Sequence, residues 1–357
     1  MFFGAQWASK RSFPSSGSDK QFFKMPFRKI LLAHGSGARL MHELIRELFL
    51  EKLNNPVLRE LSDSASLNFQ GRLAFTTDSF VVHPLFFPGA DIGKLAVCGT
   101  VNDLVMAGAE PRYLSLAFII EEGLDRVILE RIVDSVALHA ARARVTVVTG
   151  DIKVVEKGAC DKIFINTSGI GRIIRPMSLK KIRPGDKVIL SGDIGRHGLA
   201  VLTKRKELGL GFDIKSDCAA LSGLINPILK KVKGIKFMRD PTRGGLAATL
   251  SEIVTSINLG VVIEEKSIPV PKNVQIAAEL LGIDPLYVAN EGRAVLIVEP
   301  GAAKEILLLL RKQELGRSAS IIGEISARNK GRVILNTKVG SSRIIELPEG
   351  EQLPRIC

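Results

Sequence analysis

The chain's patterning is interrupted once, and that break limits its fold more than any other feature. Apolar stretches of strand length and of helical period alternate from Ile30 to Ile174. They stop at Arg175-Pro176 and resume after the turn Arg183-Pro184-Gly185-Asp186. Proline lacks the N–H that a helix interior or a central strand uses, and it pushes the preceding residue toward extended geometry. The chain therefore reads as two α/β layers in series, and its 357 residues suit two domains. In the first, 39–52, 94–107 and 124–142 have helical spacing, and 73–82, 113–120, 145–149 and 162–174 read as strands. In the second, helices are expected near 197–208, 218–231, after Gly245 and over 302–311, with strands at 187–190, 260–264 and 293–298. The expected division is an extension over 1–28, an N-terminal domain over 29–175, a C-terminal domain over 176–345, and a mobile tail over 346–357. That tail holds two prolines, a glycine and no period.

Composition excludes several classes. Hydrophobic residues reach 46%, enough for real cores, and no apolar run attains the ~18 residues of a membrane helix. The net charge of +13 favours anionic partners. Part of it sits in the first 29 residues, where Lys10, Arg11, Lys20, Lys24, Arg28 and Lys29 face one acid, Asp19. The rest is scattered, and with two Tyr and one Trp there is no base-stacking platform, so nucleic-acid binding is not expected. Cysteines at 98, 160, 218 and 357 form no CxxC pair, which excludes a zinc knuckle or a thioredoxin motif and fits a reducing cytoplasm.

Four carboxylates share one setting, beside Gly, Ser, Asn or Thr at the end of, or inside, an apolar element. They occur in Thr77-Asp78-Ser79, Asn102-Asp103, Gly150-Asp151 and Asp240-Pro241-Thr242. Each alone also reads as a cap or turn acid. Together they are hard oxygen ligands suited to Mg²⁺ carried on phosphates. His34-Gly35-Ser36-Gly37 and Arg243-Gly244-Gly245 each precede a helix, where backbone N–H groups can hold phosphate; a GxxxxGK[ST] loop is absent. Lys153 and Glu291 offer a cation and a base if they share a pocket. Cys357 ends the chain, and a thiol on a flexible tail has no packing role. It reads as a swinging nucleophile.

These strings, with Phe86-Phe87-Pro88-Gly89-Ala90-Asp91-Ile92-Gly93-Lys94, Ala289-Asn290-Glu291-Gly292 and the terminal Pro354-Arg355-Ile356-Cys357, resemble the HypE family of hydrogenase maturation factors. That family stands beside the aminoimidazole ribonucleotide synthetases, selenophosphate synthetases and thiamine-monophosphate kinases. The resemblance spans about 29–357. It implies a PurM-like two-domain α/β (α+β) fold whose N-terminal sheet is completed into a barrel-like sheet across a homodimer. It implies ATP-dependent dehydration of a carboxamide on Cys357 to a thiocyanate, for the iron of a [NiFe] hydrogenase. It gives a carbamoyltransferase, HypF, and a HypC–HypD iron scaffold as partners. Glu291 and Lys153 would handle protons. Asp78, Asp103, Asp151 and Asp240 would hold Mg²⁺, and Asn102, Gly150, Arg243, His34 and Gly35 would line the ATP site with Asp78, Asp103 and Asp151. In one departure Ala38 follows Gly37, where the family has a further glycine. A related selenophosphate synthetase and a non-catalytic nucleotide-binding scaffold are the rival readings. The former would place its reactive Cys or selenocysteine in the N-terminal glycine-rich loop, which here has none.

Overall fold

The computed structural model describes residues 27–205, 213–347, 350 and 355–357. The chain enters through α1 (Arg39–Leu44), which continues as a π-turn to Leu50, and α2 (Pro56–Arg59). Gly37 takes the left-handed conformation itself (φ +78). Ala38 is extended at φ −94, so its Cβ meets no strain.

The first layer runs β1 (Leu73–Phe80), a small hairpin β2 (Phe86–Phe87) and β3 (Ala90–Asp91), α3 (Ile92–Met106), β4 (Ala109–Glu121), α4 (Arg126–Ala143), β5 (Thr146–Val155) and β6 (Ile163–Ile173). Its four-stranded sheet has the order β1-β6-β4-β5. Asp91 caps α3 by accepting from Gly93 N at 2.8 Å and Lys94 N at 3.0 Å. Every residue of α3 except Lys94 and Asp103 is buried. An all-round apolar helix must lie under something, and α3 packs on β1, β4 and β6 and against α4.

The second layer comprises β7 (Lys187–Leu190), α5 (Arg196–Lys204), α6 (Ser222–Lys231), β8 (Ile235–Arg239), α7 (Gly245–Ile257), β9 (Gly260–Glu264), α8 (Lys272–Leu281), β10 (Val295–Val298), α9 (Pro300–Arg311), β11 (Ser320–Ser326), β12 (Val333–Asn336) and β13 (Ser342–Ile345). The sheet order is β13-β12-β9-β11-β7-β10-β8. All four residues of β10 are buried between β7 and β8.

Several expectations shift. β5 runs to Val155 rather than ending at Thr149, because Gly150 lets the β4 backbone come close; a Cβ there would sit 2.4 Å from Leu116 O. The strand β8 and the helix α8 were not read from the sequence. Within one chain the first sheet is open rather than barrel-like, with β1 and β5 at opposite edges. The expected extension lies, up to residue 26, outside the described residues, as do 206–208 of the helix expected near 197–208. The end of the expected mobile tail is docked. Val81 N donates to Cys357 O at 3.1 Å, His83 N donates to Arg355 O at 3.1 Å, and Ile356 is 3% exposed.

Candidate active site

Six of the sequence-predicted residues meet in the cleft between the layers. β1 supplies Asp78 and α3 supplies Asp103, the helix's one charged residue apart from Lys94. The loop after β8 supplies Asp240, and the head of α7 brings Arg243. The loop before β10 carries Glu291, and the chain end brings Cys357. A space of ≈ 650 Å³ opens beside them, walled in part by Thr76, Asp103, Arg239, Asp240 and Thr242.

The electrostatics show how closely these groups are coupled. Thr76 Oγ1 donates to Asp103 Oδ2 at 2.8 Å, yet lost hydration and the charge of Asp78 hold Asp103 above the ordinary carboxylate range. Asp78 is raised by the same loss of water, with its backbone bond from Ser79 and the guanidinium of Arg243 opposing. Asp240 is pushed up to about 7 by burial, reinforced by the charges of Asp103 and Asp78. Glu291, 3% exposed, lies well above its usual value, through burial first and then through Asp240, Asp217 and Asp78. Arg243 Nη2 lies 3.7 Å from Cys357 Sγ. Burial and Glu291 push that thiol up to about 11, with Arg243 opposing. The pocket is rich in negative charge and short of positive charge.

The remaining predicted residues lie elsewhere. Asp151 and Lys153 pair at 2.9 Å on β5. Three strand spacings, or roughly 14 Å, separate β5 from β1. They also point to the other face of the sheet. Asp151 stands opposite Ala117, which stands opposite Asn166, which stands opposite Ser79, whereas Asp78 faces α3. Next to them lies His34-Gly35, where a Cβ on Gly35 would meet Val154 N at 2.4 Å. His34 is fully buried, and its Nε2 has no hydrogen-bond partner. A hollow of ≈ 430 Å³ opens over Gly150 and Asp151. Asn102 has a task other than nucleotide contact. Its amide donates to Ala219 O at 3.0 Å and Glu291 O at 3.2 Å, and its oxygen accepts from Leu221 N at 2.8 Å. It ties the first layer to the loop that bears Glu291.

Sequence reasoning missed the residues that support this pocket. Asp217 accepts from Glu291 N and Gly292 N, both at 3.3 Å, and pairs with Arg293. The fully buried Asn290 accepts from Gly195 N at 2.7 Å and donates to Pro241 O at 3.2 Å and Val288 O at 2.9 Å. It joins the loops of Asp240 and Glu291 to the start of α5. The acid-beside-small-polar-residue setting marked the carboxylates of the cleft. Nothing local marks supports whose partners lie about a hundred residues away.

Among the described residues no three His, Cys, Asp or Glu side chains converge on a single ion. A Mg²⁺ that arrives on nucleotide phosphates takes few protein ligands and keeps several waters. The mutual repulsion of Asp78, Asp103 and Asp240 fits such a cation. No described helix is long and apolar enough to cross a membrane.

Fold and pocket together define a member of the AIR synthase related proteins. The N-terminal domain of that family matches residues 61–173 and its C-terminal domain matches 183–336. Within it, the chain belongs to the carbamoyl dehydratase HypE family. It is 46% identical to Carbamoyl dehydratase HypE of Escherichia coli K12, covering 92% of this chain and 99% of the relative. It is also 46% identical to that of Rhodobacter capsulatus, covering 92% and 98%. The crystal structure of HypE in complex with ATP superposes with a TM-score of 0.89 at 47% identity, covering 92% of this chain and 99% of that one. That of a HypE–HypF complex gives 0.75 at 48%, covering 85% and 99%. Thiamine monophosphate kinase from Aquifex aeolicus, at 20% identity and a TM-score of 0.58, shares the fold.

Proposed function

We propose that this chain dehydrates a carbamoyl group carried on its own Cys357 sulfur to a thiocyanate, using ATP. One observation carries this reading. The terminal thiol is seated beside Arg243 in a pocket that also holds Glu291 and three clustered aspartates. An amide oxygen leaves poorly, so phosphoryl transfer from ATP converts it to a phosphate ester. Loss of that phosphate while nitrogen gives up its protons leaves S–C≡N, ADP and phosphate. Mg²⁺, when bound, would screen the phosphates. Asp78, Asp103 and Asp240 would hold it, and Arg243 would face charge developing on the transferred group. With their charges neutralised, the repulsion on Glu291 falls and its carboxylate can take an N–H proton. The relative crystallised with ATP supports the nucleotide, and the HypE–HypF complex supports a carbamoyltransferase as the partner that loads Cys357. A HypC–HypD iron scaffold would take the cyanide, in the cytoplasm.

Lys153 and Asp151 enter this scheme through a second copy. The face of the first sheet that carries them is uncovered in one chain, and it exposes Phe75 at 63%, Leu73 at 49% and Ile119 at 43%. A homodimer that covers this face would complete the barrel. With β5 of one copy beside β1 of the other, Asp151 and Lys153 would lie at the edge next to the strand that carries the neighbour's Asp78.

Intact-mass measurement of S-carbamoylated protein with ATP and Mg²⁺ tests the chemistry. The C-terminal peptide should lose one water, roughly 18 Da by stoichiometry of the dehydration. Cys357→Ala should abolish the product and leave ATP binding intact. Full turnover by that variant, or an unchanged mass in the wild-type protein, would sink the reading.

A further inference from the structure

The docked chain end is gripped from several sides. Arg355 Nε donates to Val81 O at 3.1 Å, and its Nη1 pairs with Asp161 at 2.8 Å. Arg205 donates to His83 O at 3.1 Å and Arg355 O at 3.0 Å. These contacts are at least partly exposed to solvent. The partner of Ile356 is different: His197 Nε2 lies 2.7 Å from the Ile356 carbonyl, and the imidazole is fully buried.

The surroundings of that ring fix its proton. Gly195, at φ +89, opens α5 and sets His197 in the first turn. The ring lies edge-on to Phe87, with centroids 5.5 Å apart and planes at 84°. Ser216 N donates to Pro88 O at 2.8 Å, and the Ser216 hydroxyl accepts from Cys218 N at 3.0 Å. The hydroxyl proton is then free to point at His197 Nδ1, 2.9 Å away. With Nδ1 accepting, Nε2 carries the hydrogen, and a carbonyl oxygen can only accept it. Donors therefore run in one direction, from Cys218 N through Ser216 and His197 to Ile356.

We propose that His197 is a positioning residue for the dehydration, a buried latch whose Nε2–H holds Ile356 so that the adjoining Cys357 sulfur sits beside Arg243 and Glu291. This rests on the function proposed above, in which the sulfur is loaded outside and reacts inside. One neutral hydrogen bond shifts an equilibrium by roughly three- to tenfold. That is enough to favour the seated end and little enough to let it leave.

Two variants separate latch from scaffold. The His197→Asn amide overlies Nδ1, so it keeps Ser216 but cannot reach Ile356. The His197→Gln amide overlies Nε2 and can still donate to Ile356. Alkylation by iodoacetamide, followed peptide by peptide, reads how often Cys357 is out. His197→Asn should raise its rate roughly three- to tenfold while the buried Cys98 and Cys218 stay protected, and His197→Gln should stay near the wild-type rate. Single-turnover dehydration should slow in His197→Asn by no more than this factor, because the seated fraction falls less steeply than the unseated fraction rises, with the ATP dependence of the rate unchanged. A wild-type alkylation rate in His197→Asn, equal behaviour of the two variants, or loss of Cys218 protection would overturn the latch. Alkylation needs no dehydration, so a failure of the dehydratase reading would show separately, as an unchanged mass in the wild-type protein.

Discussion

Asp240 holds its proton up to about 7 in the folded chain, whereas an unfolded chain releases it near ~3.9. Between those values the native state binds more protons, so stability falls as pH rises from about 4 to about 7 and then levels off. Glu291, raised in the same direction, adds to the trend. Asp240→Asn removes the part due to this residue. In metal-free buffer at pH 8 it should melt about 2–4 °C above the wild-type protein, with a smaller drop between pH 4 and 7. Thermal scans across pH check this, and an Asn variant that melts no higher at pH 8 contradicts it. At this scale the sequence is most legible where an ionisable group stands in an unusual place, as Asp103 does inside α3 and Cys357 does at the chain end. It is least legible for His197. That residue looks like any histidine in a helix until Ile356, 159 positions away, is seen against it.

The loops around the pocket are held by side-chain struts rather than by strand pairing. Asn290 satisfies one backbone donor and two carbonyls from three segments, and leaving a buried polar group unmade costs about 1–3 kcal/mol. Asn290→Ala should lower unfolding stability by about that amount or more. Dehydration should fall further than stability alone accounts for, since Asp240 and Glu291 lose their common anchor. Urea titration beside single-turnover rates checks both, and a variant with wild-type stability would contradict the strut. Most helices and strands of the first layer were readable from their apolar period and length. The late edge of β5 was not, because Gly150 reads as a turn and here serves close strand packing. Nor were β8, which is five residues long, or α8, which begins after Pro271 without a side-chain cap.

Two groups of predicted residues, one in the cleft and one on the far face of the first sheet, become a single active site only if two copies share it. Mixed dimers of Lys153→Ala and Glu291→Gln chains distinguish the arrangements. If Lys153 acts across the interface, each mixed dimer recovers one working site, whereas action within one chain leaves both sites dead. Sequence gave no view of this division, because strand order, not spacing along the chain, places β1 and β5 at opposite edges.

The last strand ends at Ile345 and the sulfur is docked at position 357, so the reacting group hangs on a leash of twelve residues. At about 3.3–3.6 Å per residue the leash spans roughly 40 Å at most. A short tether of this kind holds its cargo at an effective concentration on the order of millimolar, whatever the supply in solution. The carbamoyl group is therefore never diluted between loading and reaction. The encounter of a loaded sulfur with the pocket is an intramolecular event, independent of how much free carbamoyl donor surrounds the protein.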